Sequence, residues 1–240
     1  MSAGTRSRST PYLTPLFFAL LAAQIGWRAL QPAPIARAEA LDAPPPPTVL
    51  RAASLGEPIP VAGLLALRLQ AFDNQPGISL PFAALDYGRV AAWLNALLEL
   101  DPRADYPLLM ASHLYVQVPD PAKQRAMLEF TYRAFFAAPD DRWRWLAHAA
   151  IIAKHRLHDL PLALKYARAV AKYARGPGVP HWAQQMPIFI LEDMGELEAA
   201  RIELGALLAT GTIVDPQEKH FLTERYLELE TELTKNQRQR

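Results

Sequence analysis

Leu160-Pro-Leu-Ala-Leu-Lys-Tyr-Ala-Arg-Ala-Val-Ala-Lys-Tyr173 is the stretch whose reading decides the fold. Ala163, Ala167 and Ala171 recur at every fourth position, which lays a ridge of small side chains along one side of a helix. A ridge of that kind lets a second helix approach closely, while the apolar residues beside it supply bulk for a shared core. The preceding segment, Arg142–Arg156, carries Ala147, Ala149, Ala150 and Ala153 and reads as the partner helix. Leu157-His-Asp159 is the short link between them. The small or apolar position at Ala163 has counterparts at Val90, Met127 and Ala200, with spacings of 37, 36 and 37 residues. Between about Val61 and Gly211 this rhythm predicts an all-α fold, an α-solenoid of about four helical hairpins.

Working outward, Val61–Phe72 reads as a helix ended by Asp73-Asn-Gln-Pro-Gly77. Ile78–Leu85, interrupted by Pro81, reads as a loop or a short strand-like piece. Asp86 is placed to cap the helix through Leu98, and Asp101-Pro102 ends it. Tyr106–Val118 pairs with Pro121–Phe136, where Asp120 is the cap candidate and Pro121 occupies the tolerated first turn. His181–Met194 pairs with Leu197–Ala209 through Gly195. Pro216–Leu233 is a final helix with a more polar surface, as the end of a solenoid requires.

Leu98-Glu-Leu-Asp-Pro102, Asp86-Tyr-Gly-Arg-Val90, His158-Asp-Leu-Pro-Leu-Ala163 and Gly195-Glu-Leu-Glu-Ala-Ala200 resemble the repeat endings and second-helix starts of the tetratricopeptide repeat family. The resemblance covers roughly residues 86–212. The spacing exceeds the family's 34 residues, and Tyr115 and Ile151 stand where its first-helix glycine belongs, which leaves other helical-hairpin repeats open. The resemblance implies a protein-binding scaffold.

Composition bounds the rest. The 240 residues are 51% apolar and contain no cysteine, so there is no disulfide, thiol nucleophile or Cys metal site. Net charge is +1, without the basic excess that nucleic acid demands. Residues 1–38 carry four arginines and no acid, and the remainder carries a net charge of −3. The basic residues 1–11 and the apolar segment 12–35 read as a cytoplasmic start and a transmembrane or signal-anchor segment. Arg28 and Trp27 suit the far interface. A cleaved signal peptide ending at Ala36-Arg-Ala38 is the close rival, and a mitochondrial leader a weaker one. An anchor would put the body in the periplasm of a bacterial inner membrane, with a single pass. Residues 36–60 read as a linker stiffened by Pro44–Pro47, residues 61–234 as the repeat domain and 235–240 as a charged tail.

Asp140-Asp-Arg-Trp-Arg-Trp145 joins guanidinium and indole groups of the kind that dominate protein-binding hot spots. With Tyr106 and Trp182 at comparable helix starts, the partner-binding candidates are Tyr106, Arg142, Trp143, Trp145 and Trp182. Packing between repeats is the plainer account of the same residues. The six histidines offer no HExxH pair, and no phosphate loop or nucleophile elbow is present. The sequence therefore points to no catalytic residue, no cofactor and no metal. The rival function is an envelope enzyme or binding module holding a glycan or peptide strand on Trp143 and Trp145.

Overall fold

The computed structural model describes residues 13–31 and 38–238, so expectations for residues 1–12, 32–37 and 239–240 lie outside it. Eleven α-helices and one minimal hairpin of two-residue strands make up the regular structure of the described residues. In order they are α1 (Leu13–Leu30), α2 (Pro47–Ala53), α3 (Pro58–Gln70), β1 (Asn74–Gln75), β2 (Ile78–Ser79), α4 (Tyr87–Leu100) and α5 (Tyr106–Leu109). There follow α6 (Pro121–Phe135), α7 (Pro139–His155), α8 (Leu160–Tyr173), α9 (His181–Asp193), α10 (Leu197–Ala209) and α11 (Pro216–Arg238).

The helices begin where proline and aspartate say they should. Asp86 accepts from the amides of Gly88 and Arg89, Asp120 from those of Ala122 and Lys123, and Asp159 from that of Leu162. These bonds satisfy donors that a helix start leaves orphaned. Proline fills the first turn of α2, α3, α6, α7 and α8, where its missing N–H costs nothing. Gln75 pairs with Ile78 across Pro76-Gly77, and the φ of +77° at Gly77 is the left-handed value that tight turn needs.

From α6 onward each helix packs on its sequence neighbour: α6 on α7, α7 on α8, α8 on α9, α9 on α10 and α10 on α11. The closest contact is the alanine seam between α7 and α8. Ala149, Ala150, Ala153, Ala163 and Ala167 are each fully buried. Three apolar clusters result, a small one of Leu50, Ala62, Ala96 and Leu100 between α2, α3 and α4, and two larger ones. One of the larger gathers α3, α4 and the α5 segment around Tyr115, and the other runs from α7 to α11. Helix α6 belongs to both, giving Met127 and Phe130 to the first and Leu128 and Phe135 to the second.

Val90, Met127, Ala163 and Ala200 all have 0% exposure, so each position read as the repeat marker is interior. Their register needs one correction. Val90, Ala163 and Ala200 are the fourth residues of their helices, but the fourth residue of α6 is Gln124. The spacings between helix starts are therefore 34, 39 and 37 residues. Glutamine is buried there because its Nε2 donates to the carbonyls of Val116 and Val118. Both carbonyls lie at the end of the segment read as one helix, Tyr106–Val118, which is irregular, and that of Val118 also accepts from the Asp120 amide. The segment passes from α5 into a π turn (Met110–Leu114) and then a 3₁₀ turn (Tyr115–Gln117).

The linker expectation is also corrected. Of residues 36–60, only the first part lies outside the described residues, and Glu39–Asp42 is strapped to the body. Gln75 bonds both the amide and the carbonyl of Glu39, the Arg89 guanidinium donates to the Leu41 carbonyl, and the Trp93 indole donates to that of Asp42. Leu41 is buried. Pro46 is extended, but Pro47 already begins α2. Among the described residues no single helix is long and apolar enough to cross a membrane. Helix α1 is apolar and covers 18 residues of the expected 12–35, and its described side chains are all exposed. The charged tail was expected from residue 235, but α11 continues to Arg238.

Candidate functional site

Side chains join one hairpin to the next at a nearly constant interval. The Trp145 indole and the Arg144 guanidinium bond to Asp105, 40 and 39 residues away, and Arg156 bonds to Gln117 across 39. Arg125 pairs with Asp159 across 34, Arg168 with Glu203 across 35 and Arg225 with Glu192 across 33. The bonds sort into two rows. One row links the α5 segment, α7, α9 and α11, completed by the Lys154–Asp193 ion pair and the Gln185–Glu218 bond. The other links α6, α8 and α10.

The α5–α7–α9–α11 row carries the candidate site. Leu109 and His113 from the first element, His148 and Ile151 from α7, Trp182 and Phe189 from α9 and Phe221 from α11 remain exposed or half-buried. His113 and His148 stack with ring centroids 4.1 Å apart and planes 12° apart. Trp145 meets the edge of His113 at 5.7 Å, and Phe189 lies 6.5 Å from Phe221. The π turn presents His113 to this stack, and the buried Ser112 hydroxyl lies 2.8 Å from His113 Nδ1. The same hydroxyl bonds the Leu108 carbonyl. Burial, then the neighbouring His113, holds the His148 pKa below the usual histidine value.

The five residues singled out from sequence have different fates. Trp143 and Trp182 do meet, edge to face at 5.3 Å, and Trp182 is half-exposed. Trp145 turns the other way along α7, as two residues of separation on a helix dictate, and bonds Asp105 Oδ1 at 3.0 Å. Tyr106 is partly exposed and its hydroxyl donates to Gln70 Oε1. Arg142 is the exception. Only 5% exposed, it donates to the carbonyls of Ala134 and Pro102 at 2.5 and 2.6 Å, so it clamps the α6–α7 turn to the end of the preceding hairpin. A buried guanidinium committed to two carbonyls presents nothing to a partner.

His113 was not singled out from sequence. The signal that finds it is the repeat interval itself, since His113 precedes His148 by 35 residues, close to one unit. Four acidic side chains near Gly195 are each drawn into a separate ion pair. Glu192 bonds Arg225, Asp193 bonds Lys154, Glu198 bonds Arg201 and Glu203 bonds Arg168. Glu192 and Asp193 belong to α9 and Glu198 and Glu203 to α10, and each has its own cation. Among the described residues no three His, Asp or Glu side chains gather as metal ligands.

No family model matches the chain, and no curated protein and no solved structure matches it either.

Proposed function

We propose that the protein is a membrane-tethered helical-repeat scaffold of the tetratricopeptide kind, holding a protein partner in a bacterial envelope complex. The observation that carries this reading is the set of side-chain bonds at intervals of 33–40 residues, which is the signature of stacked units contacting only their neighbours. Such stacking leaves one row of helices with a continuous outer face. Here that face is aromatic and aliphatic, with His113, His148, Ile151, Trp182 and Phe221 along it. It suits an amphipathic protein segment, for which rigid aromatic side chains act as anchors.

Helix α1 supports the tether. Its 18 residues span about 27 Å at the α-helical rise, against roughly 30 Å for a bilayer's hydrocarbon core. Its exposed Leu16, Phe17, Phe18, Leu20 and Ile25 find no cover in the body, so lipid is their natural solvent. Arg6 and Arg8 before it favour a cytoplasmic start and a periplasmic body.

Photocrosslinking tests the scaffold. A benzophenone amino acid placed at Ile151 or Trp182 of the full chain in native membranes is expected to capture one protein in near-stoichiometric yield. The same probe at Arg133, on the opposite row, should not. Capture of glycan, or equal capture from both rows, would overturn the proposal.

A further inference from the structure

Helices α2 and α3 carry more apolar surface than the body uses. Between Ala43 and Phe72 the only charged residues are Arg51, Glu57 and Arg68. Ala62, Ala66 and Leu69 of α3 are buried, on the side that packs against α4. The other side is equally apolar and open, with Ile59 63%, Leu64 67% and Leu67 60% exposed, and Leu55 in the α2–α3 link at 91%. Gly63 has no atom within 4 Å of where a Cβ would stand. A groove of about 370 Å³, floored by Ala62, Gly63 and Ala66 and walled by Tyr106, runs beside it. A helix that is apolar on all sides normally has cover on all sides. Together α2 and α3 have a membrane segment's hydropathy, but they bend by 113° at their junction, so they form no straight span.

We propose that this open face of α2 and α3 rests on the bilayer surface, as a second, in-plane membrane contact of the body. The inference rests on α1 being the anchor, and chain length argues for lipid as the occupant. Eight residue steps separate Gln31, after α1, from Glu39, which Gln75 holds to the body. That link reaches at most about 28 Å. Two and three residues beyond the Glu39 strap, Leu41 and Asp42 are fixed to α4, and Leu41 packs beside Leu65 and Leu69 of α3 itself. An anchored α1 therefore delivers α3 to the headgroup region, whereas α11 is joined to the anchor only through the rest of the chain. The exposed Arg51 and Arg68 suit anionic headgroups, and the leucines suit the acyl boundary beneath them.

The cysteine-free chain makes the test direct. Single variants Leu64→Cys, Leu67→Cys, Leu20→Cys and Glu224→Cys of the full protein, each carrying a nitroxide, are reconstituted in phosphatidylcholine–phosphatidylglycerol vesicles. Accessibility to oxygen is then compared with accessibility to a water-soluble nickel chelate. Positions 64, 67 and 20 are expected to favour oxygen severalfold, and position 224 the chelate. Aqueous readings at 64 and 67 with a lipid reading at 20 overturn this inference and leave the anchor standing. An aqueous reading at 20 with lipid readings at 64 and 67 removes the anchor alone. Aqueous readings at all three remove both. Shielding of 64 and 67 from both reagents would put protein on the face, a second copy or a partner, and would also overturn the inference.

Discussion

Arg142 shows how a residue with the chemistry of a binding hot spot becomes a structural one. Its guanidinium donates to the Pro102 carbonyl and to the Ala134 carbonyl, which also accepts from the Ala137 amide in the α6–α7 turn. Burial lowers its pKa, although Asp105 and Asp141 oppose this. Arg142→Ala removes both bonds, leaves the Pro102 carbonyl without its donor and is expected to cost about 2 kcal/mol in chemical denaturation of the full chain, with Trp143→Ala costing less. His158 offers the opposite case. It adopts φ +51° at the end of α7, where Gly195 serves the same purpose after α9 at φ +76°. A Cβ in the left-handed region is strained, so His158→Gly should raise stability by about 0.5–1 kcal/mol. His148 sets a pH dependence. Its folded pKa lies below the ordinary value of 6.5, so the unfolded chain binds the proton more tightly. Its contribution is thus present above about pH 6.5 and is lost as pH falls below that value. Asp159, also lowered, chiefly by the Leu162 amide, loses its contribution only below 3.8. A stability–pH titration should show the upper step, and His148→Phe should abolish it while leaving the acid step.

At the scale of the element, the α7–α8 seam is where small side chains matter most. Ala163 and Ala167 have no exposed surface and face other alanines and Leu146 in a closely approached pair. Ala163→Leu forces the helices apart and should lower stability by about 1–3 kcal/mol, read as a shifted denaturation midpoint. The same change at Ala206, lining an open groove beside α10, is expected to be nearly silent. The α5 segment behaves differently. A π turn followed by a 3₁₀ turn shifts Tyr115 into the core, where its hydroxyl donates to the Leu69 carbonyl and its ring meets Tyr87 and Phe82. Among the described residues Tyr115 and Tyr166 are the largest fully buried side chains.

For the whole molecule, neighbouring units share their interior, and α6 gives apolar residues to both larger clusters. Removing one unit, residues 159–195, would expose Leu128 and Phe135 on one side and Leu204 on the other. Hydrogen exchange is expected to speed up in α6 and α10 of such a deletion, far from the junction itself. Unchanged protection there would mean that the hairpins stand alone.

The sequence by itself determined the helical content, the caps at Asp86 and Asp120, and the interior placing of Val90, Met127, Ala163 and Ala200. Each of these is written in a local signal, a side-chain acceptor, a proline or an apolar residue in the first two turns of a helix, and needs nothing distant to take effect. Tertiary structure decided what those signals could not carry. The three-residue shift of register in α6 places Gln124 in the interior, where its side chain bonds the Val116 and Val118 carbonyls of the preceding segment. The docking of Glu39–Asp42 depends on Gln75, Arg89 and Trp93, which lie 36 to 51 residues along the chain. Arg142 and His113 took their roles in the same way. A polar side chain is committed by the partners that folding brings to it, and periodicity records its own helix face but not who stands opposite.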